Sequence, residues 1–209
     1  AFIGGCNVTS NTLAGKTYQI PVAGTMAHSW IMSFENELES FQAYAKIYPE
    51  NTVLLIDTYD TLGSGIENAI IVGKESKARG KRIGVRIVSG DLSYLSREIR
   101  KKLDAAGLED CRIYVSNDLT EEIIETLVKD HVPIDSWGIG THLVTGGSQS
   151  SLNDVYKLAA RQLSDGTWLP TMKISNSFEK ATTPGRKQIW RFADAEGSAI
   201  GDLITLEDE

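Results

Sequence analysis

The sequence has 209 residues and a mass of 22.9 kDa, with 41% hydrophobic and 23% charged residues, 19 glycines and 5 prolines. That apolar content excludes a disordered chain, and no run approaches the roughly eighteen uninterrupted apolar residues of a membrane span. A formal net charge of -7 argues against a broad nucleic-acid surface, yet leaves room for an anionic small substrate held by local cations and backbone amides. Cys6 and Cys111 lie far apart without paired spacing, and read as reduced structural thiols of a cytoplasmic protein rather than a disulfide frame or zinc site. The chain opens Ala1-Phe2-Ile3-Gly4-Gly5, with neither an initiator Met nor a signal peptide, and reads as a piece of something longer.

Short apolar runs alternate with longer amphipathic ones, the pattern of βα units in a parallel sheet or barrel. Ile20–Gly24 is predicted as a first strand and Ser29–Ile47 as the helix after it, ended by Pro49. Val53–Ile56 reads as a strand buried on both faces, followed by a helix over Leu62–Arg79. Ile83–Ile87 is the third strand, and Asp91–Ala106 the third helix, with Ser89 or Asp91 as N-cap and Gly107 at its C-terminal end. Arg112–Val115, Leu119–Lys129 and Ile134–Gly138 complete the rhythm as strand, helix and strand. Beyond the loop at Gly146–Ser151 the texture changes. Val155–Ala159, Thr167–Ile174, Gln188–Phe192 and Ile200–Leu206 are separated by Asp165-Gly166, Pro184-Gly185 and Glu196-Gly197, and read as β-hairpins. The expected organisation is an α/β body over 1–160 and a smaller β-rich portion over 161–209.

In a (β/α) barrel, chemistry collects where strands end and helices begin. The five predicted strands deliver Thr25 and His28, then Asp57 and Asp60, Arg86 and Ser89, Asn117 and Asp118, and finally Gly138, Gly140 and Thr141 to one rim. Each has a plainer reading. His28 is either solvated or a nucleophile or proton carrier near neutral pH. Asp57 and Asp60 either cap a helix or bind Mg2+ or ribose hydroxyls. Arg86, inside an apolar strand, requires an anionic ligand or a paired carboxylate. Gly138-Ile139-Gly140-Thr141 is a glycine loop of the type whose amides cradle phosphate, although a lone Gly-x-Gly is weak on its own. His131 and His142 lack metal-ligand spacing, and no residue is assigned as a metal ligand.

Gly24-Thr25-Met26-Ala27-His28-Ser29, Leu55-Ile56-Asp57-Thr58-Tyr59-Asp60, Gly84-Val85-Arg86-Ile87-Val88-Ser89-Gly90-Asp91, Ser116-Asn117-Asp118 and Trp137-Gly138-Ile139-Gly140-Thr141 occur in the order seen in nicotinate phosphoribosyltransferase. Thr9-Ser10-Asn11 and Thr183-Pro184-Gly185-Arg186-Lys187 resemble that family as well. The resemblance implies an incomplete (β/α) barrel of the type II phosphoribosyltransferases, a homodimer when full-length. It implies an enzyme of NAD biosynthesis that joins nicotinate to phosphoribosyl pyrophosphate, giving nicotinate mononucleotide and pyrophosphate, with hydrolysis of ATP and with Mg2+. On that resemblance His28 is the histidine phosphorylated from ATP, Thr25 lies beside nicotinate, and Arg86 pairs with the nicotinate carboxylate. Gly138, Gly140 and Thr141 hold the ribose 5-phosphate, and Asp57, Asn117 and Asp118 surround the ribose and pyrophosphate, with Ser89 among the substrate-binding residues.

The sequence departs from the family in two ways. Val88 stands where the family has Asp, and members are about twice as long, their N-terminal portion adding barrel elements and an aromatic residue near nicotinate. The sequence therefore predicts a fragment with an incomplete site. A nicotinamide-using relative and a catalytically silent barrel fragment that binds a partner chain or a nucleotide remain as alternatives.

Overall fold

A computed structural model describes residues 1–116, 118–145, 156–173 and 182–207, and the chain divides into two compact units, Ala1–Val155 and Tyr156–Glu209. In the first unit the order of elements is α1 (Thr12–Tyr18), α2 (His28–Met32), α3 (Glu37–Ile47), β1 (Thr52–Leu55), a tight turn at Thr61–Gly65 running into α4 (Ile66–Ala78), β2 (Ile83–Ile87), α5 (Leu92–Ala105), β3 (Arg112–Ser116), α6 (Glu121–Lys129), β4 (Ser136–Gly138) and α7 (Thr141–Val144). The four strands pair in chain order, β1-β2-β3-β4, and every pair is parallel. Parallel neighbours joined by helices require those helices to cover the sheet, which is why the strands are continuous apolar runs.

Leu54, Ile56, Val85, Ile87, Ile113 and Val115 are fully buried with Phe41, Ile66, Val72, Ile99 and Leu103 from the helices. Burying each such aliphatic side chain contributes about 1.5–3 kcal/mol. Helix starts are set by side chains that accept from orphan amides: Asn36 from Glu39 N, Asp91 from Tyr94 N and Thr120 from Ile123 N. Of the two capping residues expected for α5, Asp91 performs the role, and Gly107 leaves the helix at φ 75°. Cys111 is buried here, and burial first of all pushes its thiol up to about 12.

Three expectations change. Ile20–Gly24 is not a strand; only Thr9 and Val22 form an isolated parallel bridge, so the sheet has four strands and not five. The helix expected over Ser29–Ile47 is two helices, because Asn36 is extended (φ -142°) and turns its side chain to cap the second. The apolar periodicity runs through that break because Ile31 and Phe41 enter the same core. The helix expected from Leu62 is interrupted at Gly63 (ψ -110°), and α4 begins only at Ile66. A side chain at Gly65 would place Cβ 2.0 Å from the Ile56 carbonyl oxygen, so that turn accepts glycine alone. With β1 and β4 as its edges the sheet is open, and the body is an incomplete (β/α) barrel.

The second unit consists of two antiparallel hairpins. β5 (Ala160–Gln162) pairs with β6 (Trp168–Pro170) around Gly166 (φ 89°), and β7 (Lys187–Ala193) with β8 (Ala199–Leu206) around Gly197 (φ 85°). Arg191 makes two hydrogen bonds of 2.8 Å to the carboxylate of Asp202 across the second hairpin. The strand expected over Val155–Ala159 is not formed at 156–159, and that expected over Thr167–Ile174 is confined to 168–170; Val155 and Ile174 lie outside the described residues. Among the described residues, no helix is long and apolar enough to cross a membrane.

Candidate active site

Strand register decides which side chains share a face. Leu55 pairs with Arg86, Arg86 with Tyr114, and Tyr114 with Ser136, so these point to one side, while Val85 and Ile87 enter the helix-covered core. Arg86 therefore shares a face with Leu55, Tyr114 and Ser136, near the end of β2. Its Nε donates to Ser116 Oγ at 3.0 Å, and its Nη1 to Thr25 Oγ1 and to the Met26 carbonyl at 3.4 Å. All of these acceptors are neutral. Among the described residues Arg86 makes no ion pair, and Nη2 donates to none of them. Burial lowers the pKa of the guanidinium, with Asp57 and Tyr44 acting in the opposite direction. A half-buried cation whose desolvation is only partly offset, with a donor to spare, is the electrostatic mould of a small anion.

Asp57, one residue beyond Ile56 and 3% exposed, braces the ends of the first two strands. Its Oδ2 accepts from Val88 N at 3.0 Å and from Ser89 Oγ at 2.5 Å. Its Oδ1 is buried, accepts no hydrogen bond, and lies 3.9 Å from His28 Nε2. The other ring nitrogen of His28 is 3.0 Å from the hydroxyl of Thr58, which is fully buried. The first residue of α2 is thus held between a carboxylate and a hydroxyl from the loop after β1. This arrangement fixes the ring plane.

Thr25, His28, Asp57, Arg86 and Ser89 are brought together by these contacts. Gly138 adjoins them through Ser116: a Cβ there would lie 2.8 Å from the Ser116 Cβ, so close approach of two strands explains that glycine. Asp118, Gly140 and Thr141 are exposed. Asn117 lies outside the described residues. Asp60 accepts from Gly63 N and so caps the turn before α4. A cavity of about 420 Å³ opens at the opposite, N-terminal ends of the strands, between Gly24, Asn51, Arg82, Arg112 and Tyr114, and contains none of the clustered polar groups.

Sequence reasoning missed Thr58, Ser116 and Glu37. Glu37 is 5% exposed at the start of α3, accepts from Asn68 Nδ2 at 3.0 Å, and has its pKa raised above 4.5, first by burial and also by Asp60, against the effect of Asn68. The folded chain thus holds this proton more tightly than the unfolded chain. The associated stability is fully present below pH 4.5 and is lost as pH rises through the higher folded value. Glu37→Gln is expected to flatten the decline of the thermal midpoint as pH rises above 4.5. An unchanged slope in that series would exclude Glu37 as its source.

No protein-family model matches the sequence. Two curated relatives carry the name nicotinate phosphoribosyltransferase: that of Bacillus subtilis is 46% identical over 210 residues, and that of Caenorhabditis elegans 37% over 264. Both alignments take in 100% of this chain, but only 42% and 46% of those relatives. The crystal structure of human nicotinic acid phosphoribosyltransferase superposes with a TM-score of 0.62 at 27% identity, covering 100% of this chain and 48% of the human one. A Porphyromonas gingivalis structure, also titled nicotinate phosphoribosyltransferase, shares the fold at a TM-score of 0.62 over 83% of this chain, with 23% identity and 47% of its own length covered. The chain spans less than half the length of these relatives. Residues 1–209 are similar, end to end, to part of proteins named nicotinate phosphoribosyltransferase.

Proposed function

We propose that this chain carries the strand-end residues of a cytoplasmic nicotinate phosphoribosyltransferase, homodimeric at full length, that makes nicotinate mononucleotide for NAD biosynthesis. The observation that supports this reading best is Arg86, half-buried and, among the described residues, hydrogen-bonded only to neutral oxygens. A pyridine carboxylate supplies the missing charge. In the reaction, the bond between the ribose C1 and the pyrophosphate oxygen of phosphoribosyl pyrophosphate breaks, and a bond from C1 to the pyridine nitrogen forms. The transition state is oxocarbenium-like, so positioning and electrostatics carry most of the catalysis. Arg86 and Thr25 hold the pyridine, and Asp57, Asn117 and Asp118 lie around the ribose and pyrophosphate. Ser89 acts through Asp57, while Gly138, Gly140 and Thr141 receive the 5-phosphate. His28 takes the terminal phosphoryl group of ATP, the bond to ADP breaking as the phosphorus–nitrogen bond forms, and water later removes it. Asp57 offsets the positive charge on the substituted ring.

The described residues contain no group of three or more side chains able to ligate a metal. Mg2+ enters this reading as a companion of the pyrophosphate and ATP oxygens, as is usual for that ion.

The test is to incubate the chain with ATP labelled in its terminal phosphate and to look for acid-labile protein-bound phosphate. Absence of label counts against the reading. Val88 stands beside Asp57 where the family has a carboxylate. Val88→Asp is expected to tighten binding of phosphoribosyl pyrophosphate with Mg2+ about tenfold or more by calorimetry, the scale of one charge-assisted contact in a preorganised site. Equal affinity would show that Val88 is not a deficit.

A further inference from the structure

Three observations about Ser116 have no place in the reading above. It accepts from the Nε of Arg86 at 3.0 Å, it stands on a neighbouring strand, and it occupies the space that a side chain at position 138 would need. We propose that Ser116 is the positioning residue that sets the rotation of the Arg86 guanidinium, and with it the preference for a pyridine carboxylate over the uncharged amide. The inference rests on Arg86 being the group that recognises nicotinate.

A guanidinium is a rigid planar fork, so fixing two of its N–H directions fixes the plane of the rest. Here Ser116 from β3 fixes Nε, and the Thr25–Met26 segment before α2 fixes Nη1. Nη2 is left as the donor for an incoming oxygen, and its direction follows from the other two. Without the Ser116 hydroxyl the fork is held from the Thr25–Met26 side alone and can turn about that attachment. A carboxylate gains most from an aligned fork, because charge and geometry then act together; an amide presents one neutral acceptor and gains little from the alignment.

Ser116 is itself well placed for this task. The parallel register sets it against Gly138, and the approach is so close that only glycine fits there, so the hydroxyl-bearing strand sits tight against β4.

The experiment measures nicotinate and nicotinamide binding to the whole chain by calorimetry, for the native protein, Ser116→Ala, Ser116→Thr and Arg86→Met. Ser116→Ala is expected to weaken nicotinate about tenfold, the scale of one hydrogen bond to a charged group, and nicotinamide by less than about twofold, with an unchanged thermal midpoint. Ser116→Thr keeps the hydroxyl and is expected to stay within about threefold of native, a shift below the worth of one hydrogen bond. Nitrogen-15 spectra supply a readout that needs no ligand: the Arg86 Nε–H exchanges slowly with water in the native chain and rapidly in Ser116→Ala. A native chain that does not favour nicotinate, and is unaltered by Arg86→Met, overturns the reading of the site and this inference together. A native preference that survives in Ser116→Ala overturns the positioning role alone.

Discussion

Arg86→Met is expected to abolish the preference for nicotinate over nicotinamide, with a loss of nicotinate affinity of about 100-fold. Truncating one partner of a buried charge pair removes roughly 2–5 kcal/mol, and each ~1.4 kcal/mol is a factor of ten. The same change is expected to leave the thermal midpoint unaltered or to raise it. Arg86 has no carboxylate within ion-pair distance among the described residues, and the more distant charge of Asp57 offsets only part of its desolvation. Methionine of similar length removes that charge and fills the volume. Calorimetry and thermal unfolding on one sample separate the two effects. A large fall in midpoint with selectivity retained would mean that Arg86 serves the fold and not a ligand.

His28→Ala is expected to reduce acid-labile labelling from ATP to background, because no other imidazole is near the cluster: His131 and His142 are exposed on other elements. Asp57→Asn leaves a nucleophile in place but withdraws the negative charge 3.9 Å from the ring, and is expected to slow labelling about 10- to 100-fold without eliminating it. The asparagine variant also tests the brace, since an amide that still accepts from Val88 N keeps the strand ends together. Label that persists in His28→Ala would move the phosphoryl acceptor elsewhere.

The parallel sheet was legible because Val53–Ile56, Ile83–Ile87 and Arg112–Val115 are short apolar runs between long amphipathic segments, and burial on both faces leaves such runs little alternative. Ile20–Gly24 misleads because five residues containing Pro21 satisfy the apolar criterion, while the segment's strand-type hydrogen bonds are confined to a single bridge with Thr9. The break at Asn36 was hidden by periodicity, which reports the direction of the core and is silent on whether the backbone reaches it through one helix or two. At the site, the ionisable residues stood out by type, since His28, Asp57 and Arg86 are conspicuous at the ends of apolar runs. The hydroxyls that hold them did not. Ser116 and Thr58 are ordinary residues for a strand end and a turn, and only the folded structure reveals that Ser116 faces Arg86 on the next strand and Thr58 faces the ring of His28. Ser89 was found by its position and then acquired a different partner, the carboxylate of Asp57.

The depth of Cys111 has a practical use. Alkylating and maleimide reagents react with the thiolate, and a thiol held near 12 beneath the helices offers almost none at neutral pH. Cys6, the other cysteine of these 209 residues, is half-exposed, so a fluorophore or spin label can be installed at one known position of this chain without removing any residue.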